Sequence, residues 1–197
     1  MDSKQWDARY RAADSVWSAE PNRFLVEEIS GLKPGKALDL ACGEGRNAIW
    51  LAKEGWRVRA TDFSPVAIEK ARARAKELGL EIEFAVEDAA ARQSSRYDLV
   101  ILFYLQLRNE ILLDVMREAA SALSPGGTLL VVAHDSRNLE EGTGGPQDPA
   151  VLYGPEAVLP ALEGLVIERA ETVERPVEKD GETLMALDCL VRARAPD

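Results

Sequence analysis

The chain has 197 residues, of which 46% are hydrophobic and 29% charged, a composition that predicts one globular domain with a full core. Its formal net charge of −10 argues against nucleic acid and anionic membranes as partners, because both carry negative charge. The two cysteines, Cys42 and Cys189, are too few for a disulfide framework or a zinc-finger pattern.

These features predict a cytoplasmic protein without a bound metal. No signal-like segment precedes the first acidic residue, Asp2, and no apolar run reaches the length of a membrane span. Cysteines that need no pairing suit a reducing compartment. We expect a single domain over residues 1–197, as a monomer or homodimer, in which residues 1–35 form an N-terminal helical cap on a core of residues 36–197.

The predicted cap contains two apolar stripes with helical spacing, Trp6-Tyr10-Ala13 and Phe24-Leu25-Ile29. Pro21 lies near the start of the second helix, where its missing N–H has little effect. Trp17 lies between the two helices. It is either a hydrophobic plug or part of the cover of a ligand pocket.

The core begins with a strand, a glycine turn and a helix within Lys36–Leu51. Ala37–Ala41 is a short apolar run typical of a buried strand, and Gly43 and Gly45 follow it. Glycine allows the backbone to turn tightly and lie against a ligand. This order is the first half of a βαβ unit that binds a nucleoside-containing ligand.

The identity of that ligand has two interpretations. Gly43–Ala48 satisfies the G-x-G-x-x-G/A dinucleotide fingerprint, and Asp62 lies 17 residues beyond Gly45, close to where a ribose-binding acid is expected. However, Asp39 within the strand and Glu44 between the glycines would oppose a pyrophosphate, which requires N–H groups and positive potential. Both carboxylates would favour S-adenosylmethionine, which carries a sulfonium and an ammonium and no phosphate.

The run D-L-A-C-G-E-G-R-N resembles the glycine motif of class I S-adenosylmethionine-dependent methyltransferases. Its Gly-Arg-Asn continuation is most similar to the small tellurite-resistance and thiopurine methyltransferase-like group. The resemblance implies S-adenosylmethionine as cofactor and a small-molecule methyl acceptor, such as a thiol or chalcogen compound. A non-catalytic S-adenosylmethionine-binding regulator is the alternative, and a nicotinamide-dependent reductase is a more distant one.

The later elements follow a βα order. They are a strand at Trp56–Asp62, a helix from Ser64-Pro65 to a stop at Gly79, strands at Glu81–Val86 and Tyr97–Tyr104, a helix at Arg108–Ala122, a turn at Ser124–Gly127 and a strand at Thr128–Ala133.

The last third of the chain combines an irregular segment with a hairpin. Residues 135–155 contain four glycines and three prolines without periodicity, which predicts a loop and possible lid over the acceptor. Strands at Leu165–Val177 and Thr183–Ala193 then flank the turn Lys179-Asp180-Gly181. With the resemblance, this predicts an α/β, Rossmann-like three-layer sandwich, whose seven-stranded, mostly parallel sheet has the order 3-2-1-4-5-7-6 and an antiparallel last strand.

The resemblance also implies roles for individual residues. Asp39, Gly43 and Gly45 would hold the methionine end of the cofactor, Asp62 the ribose, and Asp88, with Glu87 as second choice, the adenine. Phe103 and Tyr104 would flank the reacting centre. The complete predicted cofactor set is Trp17, Asp39, Ala41, Cys42, Gly43, Glu44, Gly45, Arg46, Asn47, Asp62, Phe63, Ser64, Glu87, Asp88, Ala89, Phe103 and Tyr104.

No catalytic residue is identified from the sequence. The only histidine, His134, follows the fifth predicted strand and could act as a base for a hydroxyl acceptor. Thiol and chalcogen acceptors are nucleophilic once ionised and need no base. For such acceptors the sequence predicts that His134→Ala keeps most of the activity.

Overall fold

The computed structural model describes residues 2–179 and 181–197. Its centre is a sheet with the order β3-β2-β1-β4-β5-β7-β6. The strands are β1 Lys36–Leu40, β2 Arg57–Asp62, β3 Glu83–Val86, β4 Tyr97–Phe103, β5 Leu123–His134, β6 Val166–Lys179 and β7 Glu182–Arg194. The first five strands pair in parallel, and β7 is antiparallel to both β5 and β6. The predicted strand order and antiparallel last strand are confirmed.

Helices cover both faces of the sheet. They are α1 Ser3–Arg11, α2 Arg23–Glu28, α3 Arg46–Lys53, α4 Pro65–Glu77, α5 Asn109–Ser121, α6 Asn138–Glu141 and α7 Pro155–Val158. No helix among the described residues is long and apolar enough to cross a membrane.

Neighbouring residues of the central strands point to opposite faces, as the period of two requires. Leu38 and Val100 pack with α5 and α7 on one face, whereas Ala37 and Leu99 pack with α2, α3 and α4 on the other. Both faces are therefore apolar, which explains why these strands read as nearly continuous hydrophobic runs. The three-layer arrangement is the predicted one.

The N-terminal helices form where the sequence places them, with earlier ends. Asp2 and Gln5 make a capping box at the start of α1, and Ala12 caps its end, so Ala13 lies beyond the helix. Asn22 caps α2 by accepting a hydrogen bond from the Phe24 N–H. The strap, defined as residues 12–22, joins the two helices.

Two predictions about irregular segments are wrong in part. The predicted turn at Ser124–Gly127 lies inside β5, because Tyr97 pairs with Leu123 and Leu99 with Thr128, so a bulge absorbs the extra residues. The segment 135–155 contains α6, a 3₁₀ turn at Pro149–Val151 and the start of α7, rather than a structureless loop. The turn residue Asp180 lies outside the described residues.

The carboxyl ends of β1 and β4 lie side by side at the point where the connections diverge to the two halves of the sheet. Such a switch point opens a crevice for a ligand. The two non-glycine residues with positive φ among those described, Ala41 (57°) and Tyr104 (56°), directly follow these two strands. Backbone strain of this kind clusters at functional sites, and here it marks the crevice.

Candidate cofactor and acceptor site

The glycine turn follows β1 and is held by backbone hydrogen bonds. The Cys42 N–H donates to the Thr61 carbonyl at 2.9 Å, and the Gly45 N–H donates to the Cys42 carbonyl at 3.0 Å. Gly45 has φ +79°, and a Cβ there would lie 3.0 Å from the Ala71 Cβ. Glycine is therefore required at Gly45 both by the backbone and by the close packing of α4.

Asp62 connects the end of β2 to this turn. Its Oδ2 accepts from the Gly43 N–H and its Oδ1 from the Ser64 N–H, both at 2.9 Å. Burial raises the pKa of Asp62, and the two N–H donors partly oppose that rise. Each oxygen keeps a further lone pair, so the carboxylate can still accept hydrogen bonds from a ligand.

Asp39 is an unsatisfied carboxylate within β1. It is 1% exposed, and its Oδ2 is buried with no hydrogen-bond partner among the described residues. Burial, and then the nearby charge of Asp62, raise the pKa of Asp39 to about 8. A buried acceptor without a partner is unfavourable, and a bound cation would satisfy it.

Glu44 faces the strap rather than an open crevice. Its Oε2 accepts from the Val16 N–H at 2.8 Å and the Trp17 N–H at 3.3 Å. Its Oε1 lies 3.1 Å from the Lys70 Nζ, which also donates to the carbonyl of Tyr10. The carboxylate between the glycines thus ties the strap to α4.

The strap lies against the glycine turn. A Cβ on Gly43 would lie 3.6 Å from the Trp17 Nε1, so the indole sits beside this glycine, although 38% of Trp17 stays exposed. At the start of α3, the predicted residues Arg46 and Asn47 also contact the strap, through Ser18 Oγ at 3.3 Å and the Asn22 N–H at 3.0 Å. Burial lowers the pKa of Arg46.

The predicted adenine side follows β3. The Glu87 carboxylate is ion-paired with Arg59 at 2.5 Å. Asp88 is exposed, and its Oδ1 accepts from the Ala90 N–H at 2.8 Å. Because Arg59 occupies Glu87, Asp88 is the freer of the two carboxylates. Ala89 is half-buried, and the Phe63 carbonyl accepts a hydrogen bond from Ser3 Oγ at 3.1 Å.

The other side of the crevice carries a cluster around a buried acid, called here the Asp188 cluster: Asp188, Tyr104, His134 and Arg175. Asp188 is fully buried, and it accepts hydrogen bonds from the Tyr104 hydroxyl at 2.8 Å and from the Arg175 Nε at 2.6 Å. The His134 Nδ1 lies 3.4 Å from Oδ1 of Asp188. Phe103, predicted to flank the reacting centre, is buried at the end of β4.

The pKa of Asp188 shifts in the opposite direction from the pKa of Asp39. Burial raises the pKa of Asp188, but polar contacts from His134, Arg175 and Tyr104 outweigh it and hold that pKa below its ordinary value. Burial and the adjacent Asp188 charge raise the pKa of Tyr104. The carboxylate is therefore ionised and the phenol neutral.

Sequence reasoning missed Asp188 and Arg175, and it did not foresee the contacts of Gln106. Gln106 accepts from the His134 N–H at 2.9 Å and donates to the Val151 carbonyl at 2.5 Å, which links β5 to the segment 135–155. One signal was visible for Asp188, since it is the single charged residue in the apolar run Leu184–Val191. A lone acid in a buried strand requires partners, which marks a site.

Residues 37–127 match the family model described as a methyltransferase domain. Over this part, which is just under half of its length, the chain is similar to methyltransferases. The match supports S-adenosylmethionine, the cofactor predicted from the glycine motif, as the ligand of this turn. The unsatisfied Asp39 carboxylate beside the glycine turn fits a ligand that carries positive charge.

Curated relatives of the chain include two kinds of enzyme. Ribosomal RNA small subunit methyltransferase C of Alcanivorax borkumensis is 33% identical over 58% of the chain and 38% of that protein. Ubiquinone biosynthesis O-methyltransferase of Vibrio parahaemolyticus is 31% identical over 64% of the chain and 56% of that protein. The chain therefore spans about half the length, or less, of these relatives.

Solved structures show the same fold over nearly the whole length of this chain. A structure described as "Conversion of a Disulfide Bond into a Thioacetal Group during Echinomycin Biosynthesis" aligns with a TM-score of 0.80 and 26% identity, over 98% of this chain and 91% of that one. TehB from Haemophilus influenzae aligns at 0.76 and 18% identity, over 97% and 67%. N-methyltransferase NodS from Bradyrhizobium japonicum, in complex with S-adenosyl-L-homocysteine, aligns at 0.74 and 22% identity over the full length of both.

Proposed function

We propose that the protein transfers a methyl group from S-adenosylmethionine to a small-molecule acceptor, a thiol or a related chalcogen compound. One structure that is similar over nearly the whole chain, at 26% identity, is described by the conversion of a disulfide bond into a thioacetal group. An RNA acceptor, as the name of the Alcanivorax relative indicates for that protein, suits this chain less because its net charge is −10.

The buried Oδ2 of Asp39, which has no partner among the described residues, carries the cofactor part of the proposal. A pyrophosphate supplies no hydrogen-bond donor to the Asp39 Oδ2, and its negative charge would oppose the ionisation of Asp39. An ammonium would instead supply hydrogen-bond donors and favour the ionised carboxylate. The same observation disfavours the nicotinamide-dependent alternative.

We assign the predicted contacts with two refinements from the geometry. Asp39, Gly43 and Gly45 hold the methionine end, Asp62 accepts the ribose hydroxyls, and Asp88 accepts from the adenine. Glu44 acts indirectly by holding the strap, and Glu87 is occupied by Arg59. Trp17 covers the glycine turn, while Phe103 and Tyr104 face the acceptor side.

The bound cofactor supplies an electrophilic methyl carbon on a sulfonium. The chain's own task is mainly alignment, since correct placement of donor and acceptor removes much of the entropic barrier. The strained Tyr104 backbone and the Asp188 cluster give the acceptor side a fixed shape. Such a built acceptor side distinguishes an enzyme from the alternative of a regulator that only binds the cofactor.

The proposal is tested by measuring S-adenosylhomocysteine release against a panel of small thiols, hydroxyl compounds and chalcogen oxyanions. We expect turnover with a thiol or chalcogen acceptor and none with short RNA. Tight binding of NAD without binding of S-adenosylhomocysteine would contradict the cofactor. Cofactor binding with turnover of RNA alone would contradict the acceptor class.

A further inference from the structure

The His134 imidazole is fixed from several sides. Its ring lies 4.8 Å from the Tyr104 ring, centroid to centroid. Gly145, with φ +77°, lies so close that a Cβ there would be 3.0 Å from the His134 Cγ and Nδ1. The backbone N–H of His134 donates to Gln106 at 2.9 Å. The side chain therefore has little freedom to rotate away from the carboxyl edge of the sheet.

The ring nitrogen Nδ1 faces Asp188. It is buried, lies 3.4 Å from the Asp188 Oδ1 without hydrogen-bond geometry, and makes no hydrogen bond to any other described residue. This separation is at the long end for a hydrogen bond, and such contacts at reacting centres often tighten only when the substrate is bound. If Nδ1 carries the proton toward the carboxylate, the other nitrogen, Nε2, is free to accept one.

We propose that Asp188 is a positioning residue that orients His134, and that the His134 Nε2 accepts the proton of a thiol acceptor during methyl transfer. The inference rests on the proposed function. As the acceptor sulfur forms its bond to the methyl carbon, the donor carbon–sulfur bond breaks and its electron pair stays on the donor sulfur. The S–H proton passes to Nε2, and the resulting imidazolium is stabilised by Asp188 until solvent removes the proton.

This proposal replaces the sequence-based prediction that His134→Ala keeps most of the activity. That prediction followed from the expectation that a thiol or chalcogen acceptor is already ionised and needs no base. In the register of β5 and β7, however, His134 is directly paired with Asp188. A histidine with a buried carboxylate on one nitrogen is the usual arrangement of a general base.

The other charged groups near the imidazole interact with residues other than His134. Arg175 on β6 is hydrogen-bonded to Asp188, and Arg46 on α3 is electrostatically coupled to Tyr104 and Arg175. The neighbouring Asp135 is also buried, but its carboxylate accepts from Thr172 Oγ1 at 2.8 Å and from the Arg137 N–H at 2.9 Å. Asp135 is therefore the matched control for a change at Asp188.

The first test needs no turnover, because the chain has a single histidine. Nitrogen-15 spectra of the S-adenosylhomocysteine complex report which ring nitrogen carries the proton in the neutral form. We expect the Nδ1–H form to dominate in the wild type and in Asp135→Asn, and to lose its dominance in Asp188→Asn. An Nε2–H form in the wild type would overturn the proposal even if the protein methylates thiols.

The second test uses acceptor thiols of graded acidity at one pH. His134→Gln should lower the rate about 100-fold or more with a weakly acidic thiol, as loss of a general base does. The loss should shrink with thiols that are already ionised, and Asp188→Asn should fall between the wild type and His134→Gln. Equal losses across the thiol series, or the same loss in Asp135→Asn, would show a structural role only. Retained S-adenosylhomocysteine binding in all three variants separates this outcome from a failure of the proposed function.

Discussion

The two sides of the crevice treat their buried acids in opposite ways. On the cofactor side, Asp39 lacks a partner on Oδ2 and its pKa is raised to about 8. On the acceptor side, Asp188 has partners on three elements and its pKa is lowered. The cofactor side is therefore incomplete without a cation, whereas the acceptor side is organised in advance by the protein itself.

The largest expected effect comes from the glycine turn. Gly45→Ala combines a positive φ with a Cβ 3.0 Å from Ala71 and should destabilise the fold by about 2–5 kcal/mol, the sum of strain and overpacking. Gly79→Ala is the matched control, since Gly79 has φ +68° but nothing within 4 Å of its Cβ position. It should lose only about 1–2 kcal/mol. Urea unfolding curves compare the two, and equal losses would show that packing at the turn has no role.

The next effect concerns the protonation of Asp39. Because its pKa is about 8, the ligand-free carboxyl is largely protonated at pH 7 and must ionise to bind an ammonium. S-adenosylhomocysteine affinity should rise toward tenfold per pH unit below pH 8 and then level off. Calorimetry from pH 6 to 8.5 measures this slope, with Asp39→Asn as the comparison. An equal slope in both proteins would assign the effect to another group.

The raised pKa of Asp39 also makes the stability of the ligand-free protein depend on pH. The folded pKa of Asp39, about 8, exceeds its ordinary 3.8, so the folded state binds the proton more tightly than the unfolded state. Its contribution to stability is therefore lost as pH rises from about 4 to about 8. Asp39→Asn should raise the melting temperature of the ligand-free protein at pH 8 and should have little effect near pH 4. A lower melting temperature at pH 8 would contradict the unfavourable burial of this charge.

A smaller effect should follow from freeing the strap. Glu44→Gln removes the ion pair with Lys70 and weakens the bonds to Val16 and Trp17, so chymotrypsin should cut after Trp17 faster in the ligand-free protein. Glu20→Gln changes an exposed acid of the same strap and serves as the control. If both variants are cut at the wild-type rate, Glu44 does not hold the strap.

The smallest effect is expected for the predicted lid, residues 135–155. The Gln106–Val151 and Tyr153–Leu105 hydrogen bonds already pin its second half, so only its first half should respond to ligands. A glutamate-specific protease should cut at Glu140 or Glu141 in the free protein and more slowly with cofactor and acceptor bound. Equal cleavage rates in the free and the ligand-bound protein would show that residues 135–155 do not act as a lid.

The two sides also differ in what the sequence could predict. The glycine turn, Asp39 and Asp62 lie within one βαβ unit, where local spacing determines geometry, so the ligand-binding turn followed from the motif. The strand order followed from the family resemblance and the closing hairpin. The Asp188 cluster joins residues 84 positions apart, Tyr104 and Asp188, through the pairing of β5 with the antiparallel β7. Local periodicity carries no information on such a contact.

The predictions for two irregular segments were wrong in part for a related reason. Ser124–Gly127 has the chemistry of a turn, but the residues on either side of it, Leu123 and Thr128, both pair with β4, so the segment is a bulge within β5 and tertiary pairing overrides local preference. The short helices of residues 135–155 are anchored by contacts to Gln106 and Leu105, which lie far away in the sequence. Glu44 was predicted as a cofactor contact, and the competing N–H groups of the strap were not visible from its motif.

The division of the crevice into a cofactor side and an acceptor side is tested most directly by S-adenosylhomocysteine affinity in three proteins. Asp62→Ala removes a carboxylate that accepts charged hydrogen bonds and should weaken binding roughly tenfold to hundredfold, or about 1.5–3 kcal/mol. Asp188→Asn should bind with nearly the wild-type dissociation constant. Equal weakening in both variants, or wild-type affinity in a folded Asp62→Ala protein, would contradict the division.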